Sequence, residues 1–135
     1  MDETKCKALK AELAAQSEPQ IVSIERFFDG NDDLSSIGCN RMEHPGVDAF
    51  RDAFAGLLRR PDVQAVYAQI SELDPGDGSW PFTDTILVAG MIPVEELREA
   101  VRGLRPDEVA DAAEFGVSPS IAARHGSPVL ALWWD

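Results

Sequence analysis

Cys39 and His44 are the residues whose chemistry best suits catalysis in this sequence. They lie five positions apart within the turn-rich segment 29–46. A cysteine becomes a nucleophile when a neighbouring base takes its proton, and His44 could supply that base. No familiar nucleophile motif surrounds Cys39, and the spacing matches no zinc pattern. The alternative is that Cys39 packs beneath the segment while His44 shapes the turn at Pro45 and Gly46.

Asp29, Asn31 and Asp33 place oxygen-bearing side chains at the spacing with which a calcium loop begins. The pattern then fails, because Leu34 stands where the loop needs glycine and Asn40 stands where it needs glutamate. The three residues are weak metal candidates, and turn formation after a helix explains them better. We expect no cofactor.

Three aromatic residues are candidates for a partner-binding surface: Trp80, Phe82 and Trp134. Trp80 and Phe82 precede an apolar strand, where they either anchor an interface or close a lid over the end of the sheet, and we favour the lid. Trp133 and Trp134 are adjacent in the last strand, so one indole points into the core and the other away from it. An exposed indole would suit a homodimer or a protein partner.

The charge limits the class of partner. The chain has 135 residues with 24 acidic and 12 basic side chains, for a formal net charge of -12. Phosphate backbones and anionic membranes attract cationic surfaces, so we expect neither nucleic acid nor membrane as a partner. A basic protein would be attracted, although solubility alone also explains an acidic surface.

The length and the hydrophobic fraction of 44% fit one globular domain, 1–135, with residues 1–19 as a peripheral N-terminal extension that contains a helix. No apolar run is long enough for a membrane span, and the N-terminus lacks the apolar region of a signal peptide. We therefore expect a cytoplasmic protein. Two cysteines are too few for a disulfide framework.

Periodicity and turn residues predict the elements. The predicted helices cover 3–16, 47–60, 93–104, 107–114 and 118–126, and the predicted strands cover 20–22, 63–73, 84–90 and 129–134. Ser23 could cap one helical turn over 24–28, or the first strand could continue to Phe28. The segment 63–73 fits a helix as well as a strand, and we choose a strand because a turn cluster and another strand follow it.

The resulting order is typical of an α+β fold, a ferredoxin-like β-α-β-β-α-β sandwich. The N-terminal helix and a helical insert before the last strand are additions to it. If 63–73 were helical, this match would fail.

Several short stretches resemble an uncharacterised family of small acidic bacterial proteins. They are 27–33 (FFDGNDD), 36–40 (SIGCN), 44–46 (HPG), 80–85 (WPFTDT), 105–109 (RPDEV) and 133–135 (WWD). The resemblance implies no activity. In size and charge the chain is also similar to toxin-neutralising immunity proteins.

The sequence contains no dinucleotide-binding, P-loop, zinc-protease or serine-hydrolase motif. We therefore favour a non-enzymatic protein–protein interaction module. It would be immunity-like and would bind a basic partner or a second copy of the chain. The alternative is a small enzyme, or a ligand- or metal-binding domain, that uses the segment 29–46 with Cys39 and His44.

Overall fold

The computed structural model describes residues 2–38, 44–76, 78–117 and 119–135. Its helices are α1 (Glu3–Ala14), α2 (Ile24–Phe28), α3 (Val47–Leu58), α4 (Val94–Ala100) and α5 (Ser120–His125). Its strands are β1 (Ile21–Ser23), β2 (Val63–Glu72), β3 (Phe82–Gly90), β4 (Glu108–Asp111) and β5 (Val129–Trp133). Short 3-10 turns cover Leu34–Ser36, Arg102–Leu104 and Ala112–Phe115.

The five strands form one antiparallel sheet in the order β1-β2-β3-β5-β4. The α+β class is confirmed, but the predicted ferredoxin-like topology is wrong. In a split βαβ unit the two strands that flank a helix run in the same direction with another strand between them. Here β1 and β2 flank α3 and are adjacent and antiparallel.

The predicted helix over 107–114 is also wrong, because this segment contains strand β4 and a 3-10 turn. β4 pairs with β5 along four residues, from Glu108 opposite Trp133 to Asp111 opposite Leu130. Because β4 is antiparallel to β5, the chain reverses direction between these two strands, which the predicted helix would not have required. As a result β3 and β5 are neighbours that run in opposite directions.

Strand β2 confirms the extended conformation chosen for 63–73. Val66, Ala68 and Ile70 are buried on one face of the sheet, while Tyr67 and Gln69 alternate with them and belong to the other face. Bulges interrupt its pairing with β3 near Gln69 and Ile70. The first face of β2 is therefore apolar at these three buried positions, and the second is mixed.

Helices α1, α3 and α4 supply the core on the first face. Helix α3 buries Val47, Phe50, Phe54 and Leu57, which recur along one apolar stripe as in an amphipathic helix. Residues 1–19, expected to be a peripheral extension, instead place the fully buried Leu9 and Leu13 in this same core cluster.

The second face of the sheet carries a smaller core. Leu87, Ala89, Val129 and Ala131 are covered there by apolar side chains from the 112–125 segment, including Ile121. Tyr67 and His125 form a hydrogen bond between Oη and Nε2 at 2.8 Å, which ties α5 to β2. No helix in the described ranges has the length and apolar character that crossing a membrane requires.

Capping residues fix where several elements begin. Asp2 accepts a hydrogen bond from the Lys5 amide, and Ser23 accepts one from the Arg26 amide, at the starts of α1 and α2. Ser23 thus confirms the helical turn over 24–28 and not the longer strand. Such a cap contributes about 1 kcal/mol to stability.

Candidate functional site

His44 ties the segment before α3 to the rest of the protein. Its Nδ1 accepts the amide hydrogen of Gly46 at 2.9 Å, which leaves the ring proton on Nε2, and Nε2 donates to the carbonyl of Ile37 at 2.7 Å. The ring also lies 5.5 Å from that of Phe50. Because both ring nitrogens are engaged, His44 could accept a proton only by giving up the bond to Gly46. These bonds perform the turn-shaping role; Cys39 lies outside the described residues.

The three metal candidates bind protein groups. Asp29 accepts a hydrogen bond from Lys5 Nζ at 2.6 Å. The buried Asn31 donates to Ser36 Oγ at 3.0 Å and accepts from the Asp33 amide at 2.9 Å. Among the described residues no cluster of three or more histidine, cysteine, aspartate or glutamate side chains could hold a metal ion.

Asp33 acts instead as a structural anion. Its Oδ1 accepts from the amide and the hydroxyl of Ser35 at 2.9 and 2.6 Å, and its Oδ2 accepts from the amide of Trp80 at 3.0 Å. Burial by itself would raise the pKa of Asp33, but these hydrogen bonds together outweigh burial and hold the pKa below its usual value. The carboxylate thereby joins the 29–38 segment to the chain before β3.

Two of the three aromatic candidates for a partner surface are buried. Trp80 is 0% exposed and Trp134 is 2% exposed. Trp134 donates from Nε1 to the carbonyl of Leu104 at 2.9 Å and packs against Phe50. The structure does not place these two indoles on a partner surface, because both rings are buried in the core. Phe82 is half-buried, and in the last strand the partly exposed indole belongs to Trp133.

Cys6, the described cysteine, is also enclosed. Its side chain is 4% exposed, and its Sγ donates to the carbonyl of Ser79 at 3.5 Å. Burial raises the pKa of this thiol, which keeps it protonated at neutral pH. Cys6 therefore behaves as a small apolar residue with a weak hydrogen bond.

A cavity of about 650 Å³ lies beside the C-terminal half of β2. The chain before β1 forms one side, because the carbonyl of Gln20 accepts the amide of Ile70 at 2.8 Å and the side chain of Gln20 donates to Leu13 at 2.8 Å. The end of the 112–117 segment forms another, where Gly116 has a φ of 70° and ends the 3-10 turn. The lining residues are Glu18, Pro19, Gln20, Gln69, Ile70, Ser71, Leu73, Gly116 and Val117.

Gln69 is one of the lining residues, and it carries a polar atom without a described partner. Its Oε1 is shielded from solvent and has no hydrogen-bond partner within the described ranges. A buried acceptor without a donor costs about 1–3 kcal/mol, so such an atom calls for an explanation. The hydroxyl of Ser71 is already used, since it donates to Asp84 Oδ1 at 2.6 Å.

The charge of the cavity is negative. Glu18 is the one ionisable residue among the described residues that line it, and none of them is basic. The apolar residues Pro19, Leu73 and Val117 also line it. The cavity therefore combines an apolar lining with acceptor oxygens, which suits a ligand that carries hydrogen-bond donors and positive charge.

A second, open cleft of about 510 Å³ is lined by charged residues of both signs, among them Asp107 and Glu108. Arg98, Arg102 and Arg105 line it beside the edge strand β4, and Arg98 donates to the carbonyl of Val109 at 3.1 Å. Glu95 lies 3.8 Å from Arg98 and Glu99 lies 3.7 Å from Arg102. Arg98 thus covers part of an otherwise open sheet edge, a common protection against unwanted strand pairing.

Comparison with known proteins identifies the family. Residues 4–130 match the model of the Uncharacterized protein YfbO family. The chain belongs to this family. A relative from Escherichia coli (strain K12), Uncharacterized protein YfbO, is 29% identical over 117 residues, which cover 85% of this chain and 82% of the relative. No solved structure matches the chain.

Membership in the YfbO family confirms the resemblance to uncharacterised bacterial proteins and assigns no substrate. Glu18 and Gln69 of the cavity belong to no sequence motif, and they lie about fifty residues apart in the chain. The sequence alone therefore does not identify them as a site. The sequence feature that could have pointed to Gln69 is the alternation in β2, which places this glutamine on the second face of an interior strand.

Proposed function

We propose that this protein is a non-enzymatic module that binds a basic protein partner, an immunity-like role. The observation that supports this proposal best is how the charges are distributed. In the part of the chain that the structure describes, lysine and arginine side chains that lie within 4.0 Å of a carboxylate include Lys5, Lys10, Arg26, Arg51, Arg60, Arg98 and Arg102. Because these cations are neutralised internally, the excess carboxylates determine the field outside the protein.

Apolar self-association has less support. In the described part of the chain the exposed large hydrophobic residues are Leu34 and Met91. Leu34 lies close to the beginning of β3, through the bridge from Ile37 to Thr83, and Met91 directly follows its end. Two residues at opposite ends of a nine-residue strand do not form a continuous patch. Charge therefore favours a basic partner over a second copy.

Catalysis at the 29–46 segment has no supporting contact among the described residues. His44 uses both ring nitrogens to hold the backbone, and Asp33 uses both oxygens to hold the backbone and Ser35. A general base needs a nitrogen or oxygen directed at the group that it deprotonates. We therefore propose binding and not a reaction as the function.

Titration with a basic peptide tests this function. Isothermal calorimetry with an oligolysine of about ten residues should give saturable binding at one peptide per chain, and raising salt from about 20 mM to about 200 mM should weaken it by screening. An oligoglutamate of the same length should not bind. Binding of several peptides per chain without saturation, or no binding of oligolysine at low salt, would overturn the proposal.

A further inference from the structure

We infer that the cavity beside β2 receives a lysine or arginine side chain of the partner. This inference rests on the proposed function, and it assigns that function to one site. The cavity is lined by Glu18, Gln69 and apolar residues, without a basic residue among those described. A long cationic side chain has the matching composition, with an aliphatic stem and a donor-rich charged end.

The apolar walls fit the stem. Leu73, Val117 and Pro19 are apolar residues of the lining. Lysine and arginine stems bury readily along such surface while their charged ends stay in contact with polar groups. At about 650 Å³ the cavity exceeds one side chain, so peptide backbone next to the basic residue also has room to enter.

Gln69 provides the acceptor for the charged end. No hydrogen bond to a described residue holds its Oε1, so rotating the terminal amide towards the cavity breaks no bond to that oxygen. An ammonium or guanidinium donor would then satisfy a buried acceptor that no described residue pairs. Glu18, which is exposed at the same lining, adds a carboxylate that attracts the cation.

The cleft beside β4 provides an internal comparison. Arg98, Arg102 and Arg105 line it together with Asp107 and Glu108, so a basic side chain would meet charges of both signs there. The cavity beside β2 differs from the cleft in having a carboxylate and no described cation in its lining. A basic ligand should choose the cavity that contains Glu18, and this choice does not follow from the net charge alone.

Gln69→Leu is the decisive variant. Leucine keeps the approximate volume and removes the unsatisfied acceptor, so the free protein should melt at a higher temperature. The affinity for oligolysine should fall about tenfold, because a hydrogen bond to a charged group is lost. A rise in melting temperature together with a fall in affinity is a result that a purely structural glutamine would not give.

Two further comparisons separate this site from general charge. Glu18→Gln should lower the affinity about threefold to tenfold, whereas Glu99→Gln, which removes the same charge beside the arginine cleft, should change it less than about twofold. Acetylating the peptide lysines, which keeps the stem and removes the charge, should abolish binding to the natural chain.

The outcomes distinguish the two proposals. If the natural chain binds oligolysine at one peptide per chain and Gln69→Leu and Glu18→Gln bind as the natural chain does, the basic-partner function stands and the cavity assignment is wrong. Equal losses in Glu18→Gln and Glu99→Gln would also overturn the assignment. If the natural chain binds no oligolysine, the proposed function itself fails.

Discussion

At the scale of single residues, charged and polar side chains in this protein mostly serve the backbone. Asp33 is the clearest case, since its two oxygens accept hydrogen bonds from the Ser35 amide and hydroxyl and from the Trp80 amide. An isolated pattern of Asp, Asn and Asp resembled a metal loop because turn geometry and cation binding both require oxygen acceptors at short spacing. Which use applies depends on the donors that the fold brings near.

We predict that Asp33→Asn lowers the free energy of unfolding by about 1–3 kcal/mol at neutral pH, because asparagine keeps only one acceptor oxygen. The folded-state pKa of Asp33 lies below the ordinary value of 3.8. Its stabilisation is therefore fully present above that value and is lost as the pH falls through the lower folded-state pKa. Urea unfolding at several pH values should show the variant and the natural chain converging under acid conditions.

Asp52→Asn is the matched control, because Asp52 is exposed on α3. Its effect on unfolding should stay within about 0.5 kcal/mol. A constant difference between the Asp33 variant and the natural chain down to strongly acidic pH would contradict the assignment of a stabilising carboxylate.

At the scale of elements, local periodicity predicted the parts that one segment determines alone. The stripe of α3 and the alternation of β2 were both readable because each face of these elements is chemically uniform. β4 was mistaken for a helix because its alanine-containing sequence favours helix, whereas pairing with β5 decides the conformation. Neither the strand order nor the cavity could be predicted from the sequence, because both bring together segments that are distant in the chain.

Gly90 allows the end of β3 to pack closely against the start of β2. Its φ is 149°, and a Cβ there would lie 2.2 Å from the carbonyl oxygen of Asp62 and 2.9 Å from Cα of Val63. We predict that Gly90→Ala destabilises the protein by more than about 3 kcal/mol, because backbone atoms must move to admit the methyl group. Thermal unfolding followed by circular dichroism measures this loss.

Gly103→Ala is the control for this prediction. Gly103 lies in the 3-10 turn Arg102–Leu104, and a Cβ built there meets nothing within 4 Å. Its stability should stay within about 1 kcal/mol of the natural chain. Equal stability of the two variants would show that the ends of β2 and β3 adjust to a methyl group and that Gly90 is not required.

At the scale of the whole molecule, one apolar cluster joins α1 to β5 and to Trp134, which follows β5. It includes Leu9 and Leu13 from α1, Phe50 from α3, Leu132 from β5, and Trp134. Trp80 belongs to the same cluster, so two buried indoles report on the integrity of the whole core. The aromatic residues that suggested a binding surface in the sequence instead hold the two ends of the chain in one structure.

Leu13→Ala should therefore weaken the entire fold and not merely release α1. Leu13 is 0% exposed, and removing a fully buried leucine side chain costs about 2–5 kcal/mol. If residues 1–135 unfold as one domain, tryptophan fluorescence and far-ultraviolet circular dichroism should shift together to lower urea concentration. Leu34→Ala, at a leucine that is 55% exposed, should remain within about 0.5 kcal/mol of the natural chain. Loss of helical signal in Leu13→Ala with an unchanged indole transition would show that α1 is a separable extension, because the sheet and its aromatic core would then be stable without it.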